Sequence, residues 1–312
     1  MSPKWCCIAP VINYWDKVKQ FDEPAQFANG VIFGPMQDWA KCKEALDWLR
    51  GSERDRVLKS TFSFSVEYQA ESLGDPDPEW EGPKPRSMQD KAEELVMLAN
   101  LAIWLACPSS VGFDVILHFN RPGDGTSIRR VIPFGMFLPH ILDADSKPTT
   151  ADFRLAATLH KVLSSLRRDD GTVWTAARVL WKVLHEPMWE VRFLLSWVAM
   201  EALYGPISPQ EISYRLSQRV AFFLGSNKSS EARKIFEIAK NGYGWRSKVV
   251  HGSRLSKLTT EVSKTISYEA ETLLRKTFLR ILEDPEMISK FDGADREEHL
   301  DSLIFDAYQA GT

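Results

Sequence analysis

The chain has 312 residues, of which 44% are hydrophobic and 26% charged, and a net charge of −3. Such a composition supports a sizeable core, and a length of roughly 300 residues favours two domains over one. The size excludes a disulfide-stapled miniprotein, and Cys6, Cys7, Cys42 and Cys107 show neither C-x-x-C nor Cys/His ligand spacing, so no structural zinc site is expected. A bilayer-spanning helix is excluded too, because no apolar run reaches the about 18 residues needed.

Met1-Ser2-Pro3-Lys4-Trp5 lacks the apolar stretch of a secretory leader, so a cytoplasmic location away from membranes is expected. Cys6-Cys7 reads as a strand or sheet-edge position. Asp38 to Leu49 carries helical periodicity, and Phe62 to Tyr68 alternates as a half-buried strand does. Gly74 to Arg86 holds four prolines and reads as a loop. Gln89 to Ala106 is a second helix. Val111 to Phe119 and Arg130 to Phe137 are further strands, separated by a turn at Arg121 to Thr126. Residues 1–145 therefore form an α+β domain.

Leu142 to Thr150 is a polar connector, with Thr149 or Thr150 placed to cap the next helix. Beyond it the periodicity is helical almost throughout. Helices are expected over 151–168, 173–184, 188–204, 209–224, 230–239, 245–252, 262–282 and 296–308. Ser208-Pro-Gln-Glu211 has the form of a capping box with proline at the first helical position. Residues 150–312 read as an all-α bundle.

Charge is unevenly spread. Glu211 to Lys257 holds ten Lys/Arg against three Asp/Glu, whereas Glu283 to Asp306 holds nine Asp/Glu against two Lys/Arg. A local basic stretch can bind phosphates on an acidic molecule, although helices also expose charged faces for solubility alone.

No Walker loop, G-x-G-x-x-G, H-E-x-x-H or G-x-S-x-G is present. Of the six histidines, His251 stands apart. It lies in Asn241-Gly-Tyr-Gly-Trp-Arg-Ser-Lys-Val-Val-His-Gly252, where Gly242 and Gly244 suggest a break before a short helix and Gly252 its end. Ser247 and His251 are then i, i+4 neighbours, and Arg246 lies about 140° around the helix from His251. Val249 and Val250 are left to anchor the turn in the core.

A guanidinium, a hydroxyl and an imidazole so grouped suit RNA cleavage. The ribose 2′-hydroxyl must lose a proton, the leaving 5′-oxygen must gain one, and charge on the phosphoryl oxygens must be stabilised. An imidazole serves either proton transfer and a guanidinium fork the charge. One histidine does not readily perform both transfers, so a symmetric dimer supplying a second copy is expected. The same residues can equally cap helix ends or make surface contacts.

Three blocks in order, Leu195-Ser-Trp-Val-Ala-Met-Glu-Ala-Leu-Tyr204, Ile212-Ser-Tyr-Arg-Leu-Ser-Gln-Arg-Val-Ala221 and Tyr243-Gly-Trp-Arg-Ser-Lys-Val-Val-His-Gly252, resemble the HEPN superfamily, in particular its Apea-like domains. The resemblance covers roughly residues 151 to 310. It implies a HEPN-like helical bundle and a metal-independent, cofactor-free endoribonuclease. Such an enzyme works as a homodimer through Arg246 and His251, leaves a 2′,3′-cyclic phosphate, and serves in antiviral defence or toxin systems. An antitoxin or a phage-derived trigger is then an expected partner. Residues 1–145 lie outside the resemblance and are expected to sense a trigger or select substrate. Ser247 occupies a position that is Asn, Asp or His in many active members, which keeps open a non-catalytic RNA- or nucleotide-binding module, or an interaction scaffold.

Glu201 is the only acid between Arg192 and Leu203. A carboxylate in so apolar a helix needs a partner, and Arg219 or Arg215 on the following helix is expected to supply it, with a direct catalytic role as the alternative. Arg219, Lys248 and Arg254 are candidates to hold RNA phosphates. Tyr243 and Trp245 either stack a base or belong to the core.

Overall fold

The computed structural model describes residues 4–12, 24–69, 87–120, 127–133, 137–138, 140, 146–166, 171–206, 208, 210–225, 229–252 and 259–309. The chain divides into two compact units, Met1–Ser164 and Ser165–Thr312. The Gly74 to Arg86 loop and the Arg121 to Thr126 turn lie outside the described residues, as do residues 142–145 of the Leu142 to Thr150 connector.

The first unit is α+β. Its strands are β1 (Lys4–Pro10), β2 (Ala25–Gln26), β3 (Ile32–Pro35), β4 (Phe62–Gln69), β5 (Val115–Asn120) and β6 (Ser127–Pro133). They form one sheet in the order β2-β3-β4-β1-β5-β6, with every neighbouring pair antiparallel. Cys6 and Cys7 lie in a strand as expected, but in a central one rather than at an edge. Both thiols are buried, and all four cysteines are unbonded.

Helices cover both faces of this sheet. On one side α1 (Lys43–Leu46) and α2 (Gly51–Lys59) pack Leu46, Leu49 and Val57 against Cys6, Ile8, Leu117 and Phe119. On the other lie α3 (Met88–Ala106), begun by a Ser87/Asp90 capping box, and α4 (Thr150–Leu163), begun by a Thr149/Asp152 box. Val115–Asn120 is therefore buried on both faces, where the sequence pattern suggested a half-buried strand. The α4 helix belongs to this unit rather than to the bundle, with Phe153 against Phe33 and His160 bonded to the Leu95 carbonyl at 3.0 Å.

The second unit is helical. It comprises α5 (Thr172–Val183), α6 (Trp189–Tyr204), α7 (Ile212–Gly225), α8 (Ser229–Val250), α9 (Thr260–Leu282), α10 (Pro285–Asp292) and α11 (Arg296–Gln309). The Ser208 capping box does not form. Glu211 sits at φ 54°, outside helical space, and the helix begins only at Ile212. Among the described residues no helix is long and apolar enough to cross a membrane.

Two ion-pair systems tie this unit together. Arg192 on α6 grips Glu271 on α9 with Nε to Oε1 at 2.6 Å and Nη2 to Oε2 at 2.7 Å, both side chains being buried. Arg215 and Arg219 on α7 share Glu297 and Asp301 on α11. Bidentate, charge-assisted geometry of this kind fixes helix rotation as well as contact.

Candidate functional site

The largest departure from the sequence pattern falls on the Arg-x4-His segment. It is not a short helix after a glycine break. Arg246 to Val250 form the last turn and a half of α8, one continuous 22-residue helix from Ser229 to Val250, and His251 follows directly. Gly242 is there because α8 presses on α6: a Cβ at that position would stand 2.5 Å from Cζ2 of Trp197. Trp197 is itself buried, and its ring meets Tyr243 edge-on at 5.6 Å. The helix ends at Gly252, whose φ of 62° is the left-handed conformation a C-terminal stop requires.

One turn beyond this close approach, Arg246 meets Glu201. Gly242 and Arg246 are i, i+4 on α8, just as Trp197 and Glu201 are on α6, so both contacts lie along one seam. Arg246 Nη2 donates to Glu201 Oε2 at 3.2 Å and stands 3.1 Å from Oε1. The expected partners of Glu201 were Arg219 or Arg215. Those guanidiniums are committed instead to Glu297 and Asp301, and Glu201 receives Arg246. The guanidinium of Arg246 also lies 5.6 Å from the Tyr243 ring centroid. Burial first, and then the adjacent Glu201 carboxylate, push the Tyr243 phenol up to about 12, so it remains a neutral hydroxyl.

The far side of the final turn faces solvent. Ser247, Lys248, Val250 and His251 are exposed. The His251 N–H donates to the Ser247 carbonyl at 3.2 Å, which carries helical register through His251 and keeps Ser247 and His251 on one face. Val249 is buried as expected, but Val250 is not. Lys248 sits 3.9 Å above the Trp245 ring, covering one face of the indole. Trp245 is partly exposed with its other face uncommitted to this cation, whereas Tyr243 lies against Trp197 and Arg246.

Arg219 is not a phosphate ligand. Its side chain is fully buried, with Nε to Asp301 at 2.9 Å, Nη2 to Glu297 at 3.0 Å and Nη1 to the Tyr204 carbonyl at 3.1 Å. Full burial among those acceptors closes the fork to solvent. Arg254 lies outside the described residues.

A pocket of about 420 Å³ opens beside the Arg246–Glu201 pair, lined by Glu201, Gly205, Ile212, Tyr243, Arg246 and Arg296 among others. The sequence reading missed Arg296, the first residue of α11. It sits in a strongly acidic stretch, and its only signal was being one of two cations there. It donates from Nη1 to the Ala202 carbonyl at the end of α6. Among the described residues no group of three or more His, Cys, Asp and Glu is placed to hold a metal ion. Comparison with protein-family models, with curated proteins and with solved structures found no match.

Proposed function

We propose that the helical unit is an RNA-cleaving module of HEPN type, acting as a homodimer in which Arg246 and His251 of both chains form one site. One observation carries this reading. The end of α8 offers an exposed imidazole beside a hydroxyl and an ammonium, while Arg246 on the adjoining face is held by Glu201 at 3.1 Å. In the reaction His251 takes the proton of the ribose 2′-hydroxyl, and His251 of the second copy protonates the leaving 5′-oxygen. Arg246 stabilises the phosphoryl charge, Glu201 acts as its positioning residue, and a 2′,3′-cyclic phosphate is left.

Incubation of the purified protein with RNA tests the reading, with His251→Ala and Arg246→Ala as controls. Cleavage that survives EDTA and disappears in both variants supports it. Cleavage by His251→Ala at the wild-type rate refutes it, and loss of cleavage with EDTA points to a metal nuclease.

Ser247 favours a second reading. Its hydroxyl replaces the amide, carboxylate or imidazole that many active HEPN domains carry after the arginine, so the unit would bind RNA or a nucleotide without cutting it. Saturable RNA binding with no product, even at micromolar enzyme, would establish that reading instead.

A further inference from the structure

Arg296 occupies an unusual position for a cation. It is half-buried in the pocket wall, and among the described residues no carboxylate stands within ion-pairing distance of it. Its hydrogen bond runs to a neutral acceptor, the Ala202 carbonyl. Burial first, and then the charge of nearby Arg219, lower its proton affinity below that of an ordinary arginine, against a smaller opposing pull from Glu297. A guanidinium so placed is destabilised by its own surroundings, and a bound anion relieves both causes at once.

A second guanidinium, that of Arg246, lines the same pocket. Arg246 gives Nη2 to Glu201, and its buried Nε has no acceptor among the described residues. Two guanidiniums against one carboxylate leave the lining with a single positive charge. That balance suits a phosphodiester, which carries one negative charge. A phosphomonoester, with a charge of about −1.5 to −2 at pH 7, would set uncompensated charge against Glu201. The volume of about 420 Å³ falls within the range of small-ligand sites, roughly 300–1,000 Å³, and Gly205 and Ile212 complete an apolar wall able to take sugar or base.

We propose that this pocket is a phosphodiester subsite for the RNA strand, gripped by Arg296 from α11 and Arg246 from α8. The inference rests on the reading of this unit as acting on RNA. It adds that α11 supplies a binding residue and that the strand is seated between the ends of α6, α8 and α11. Arg296 is a binding residue here and takes no part in proton transfer.

The deoxydinucleotide d(ApA) tests this, because it carries one phosphodiester and no 2′-hydroxyl and cannot be cleaved. Its titration into the full-length protein at low salt, followed by NMR, is expected to saturate. Arg296→Gln should weaken it about tenfold or more, the loss typical of a charge-assisted hydrogen bond. Arg296→Lys should fall between the two. Ile212→Trp, which fills the pocket while leaving Arg296 in place, should also weaken binding, and melting curves identify any variant that fails to fold. Inorganic phosphate and acetate should bind more weakly than d(ApA). Wild-type affinity in either Arg296→Gln or Ile212→Trp would overturn the proposal. So would equal affinity for inorganic phosphate or acetate, or no binding of d(ApA) at millimolar concentration. RNA cleavage measured on the same preparations separates the two ideas. Cleavage with undiminished d(ApA) binding in Arg296→Gln sinks the subsite alone, whereas Arg296-dependent binding without cleavage sinks the nuclease reading alone.

Discussion

Alanine at Gly242 and alanine at Gly244 should move stability in opposite directions. Both glycines lie inside α8, so each replacement gains the same intrinsic helix propensity, about 0.8–1 kcal/mol. At Gly244 nothing lies within 4 Å of the new methyl group, and the gain is kept. The helical unit should then melt about 2–4 °C higher. At Gly242 the methyl would stand 2.5 Å from the Trp197 ring and 3.4 Å from two more of its atoms. The indole is buried and has no free side to move toward, and overpacking of this kind costs about 1–3 kcal/mol. The net effect at Gly242 is a loss of about 1 kcal/mol, or about 2–4 °C in melting temperature. Urea denaturation followed by tryptophan fluorescence measures both. Equal shifts of either sign would refute the account, because a glycine-broken turn, unlike a continuous helix pressed on Trp197, gives no reason for the two to differ.

Glu201→Gln keeps the shape of the side chain but removes the charge that holds Arg246. As both partners are only about one quarter exposed (27% and 28%), unfolding stability should fall by about 1 kcal/mol. Under the proposed function, RNA cleavage should fall at least about tenfold, as an unpositioned guanidinium loses its transition-state contact, and unchanged turnover would remove Glu201 from the site. Arg219→Met should lower stability by about 1–3 kcal/mol in chemical denaturation, since the Tyr204 carbonyl loses its donor and Glu297 and Asp301 keep only Arg215 of the two arginines they share; a stability near wild type would contradict the structural role given to this arginine. Burial, opposed by the bond to the Leu95 carbonyl, lowers His160 to about 4. The folded protein therefore binds this proton less readily than the unfolded chain does. The stability contributed by neutral His160 is fully present above pH 6.5 and is lost as pH falls toward 4. Its full size is on the order of 3 kcal/mol. His160→Gln should flatten that part of the stability–pH curve, and an unaltered slope would show that other groups cause it.

The division into an α+β unit and a helical unit was legible because periodicity is strong where burial is one-sided. The α5, α6 and α9 helices agree with the expected ranges to within a few residues. The α2 helix was not legible, because its nine residues bury only Val57 and so leave no apolar stripe. The same reasoning covers α10, although Asp284-Pro285-Glu286 is a start signal that was there to be read. The unit boundary was misplaced because the polar connector before Thr149 marks the start of a helix, whereas membership of a core is decided by what that helix packs against. For the candidate site, Arg246, Ser247, His251 and Glu201 could be named from the sequence. The sequence could not supply the pairing of Glu201 with Arg246, the burial of Arg219 or the arrival of Arg296, since each depends on which helices become neighbours.

The two glycines of the Tyr243 block show how the same letter misleads and informs. Read locally, they end one helix and begin another. Read along the seam with α6, Gly242 removes a side chain where Trp197 needs room, and the two backbones draw together. One turn later that approach brings Arg246 to 3.1 Å from Glu201. A wider helix separation would leave the part-buried Glu201 carboxylate without its cation, which is unfavourable. Gly242 thus acts on the site without touching it, because it fixes the helix spacing on which the Arg246–Glu201 pair depends. His251 needs no such constraint: it lies past the seam, where the helix stops at Gly252 and its imidazole faces outward. The division of labour is physical, with the cation fixed by packing and the imidazole left exposed at the helix end.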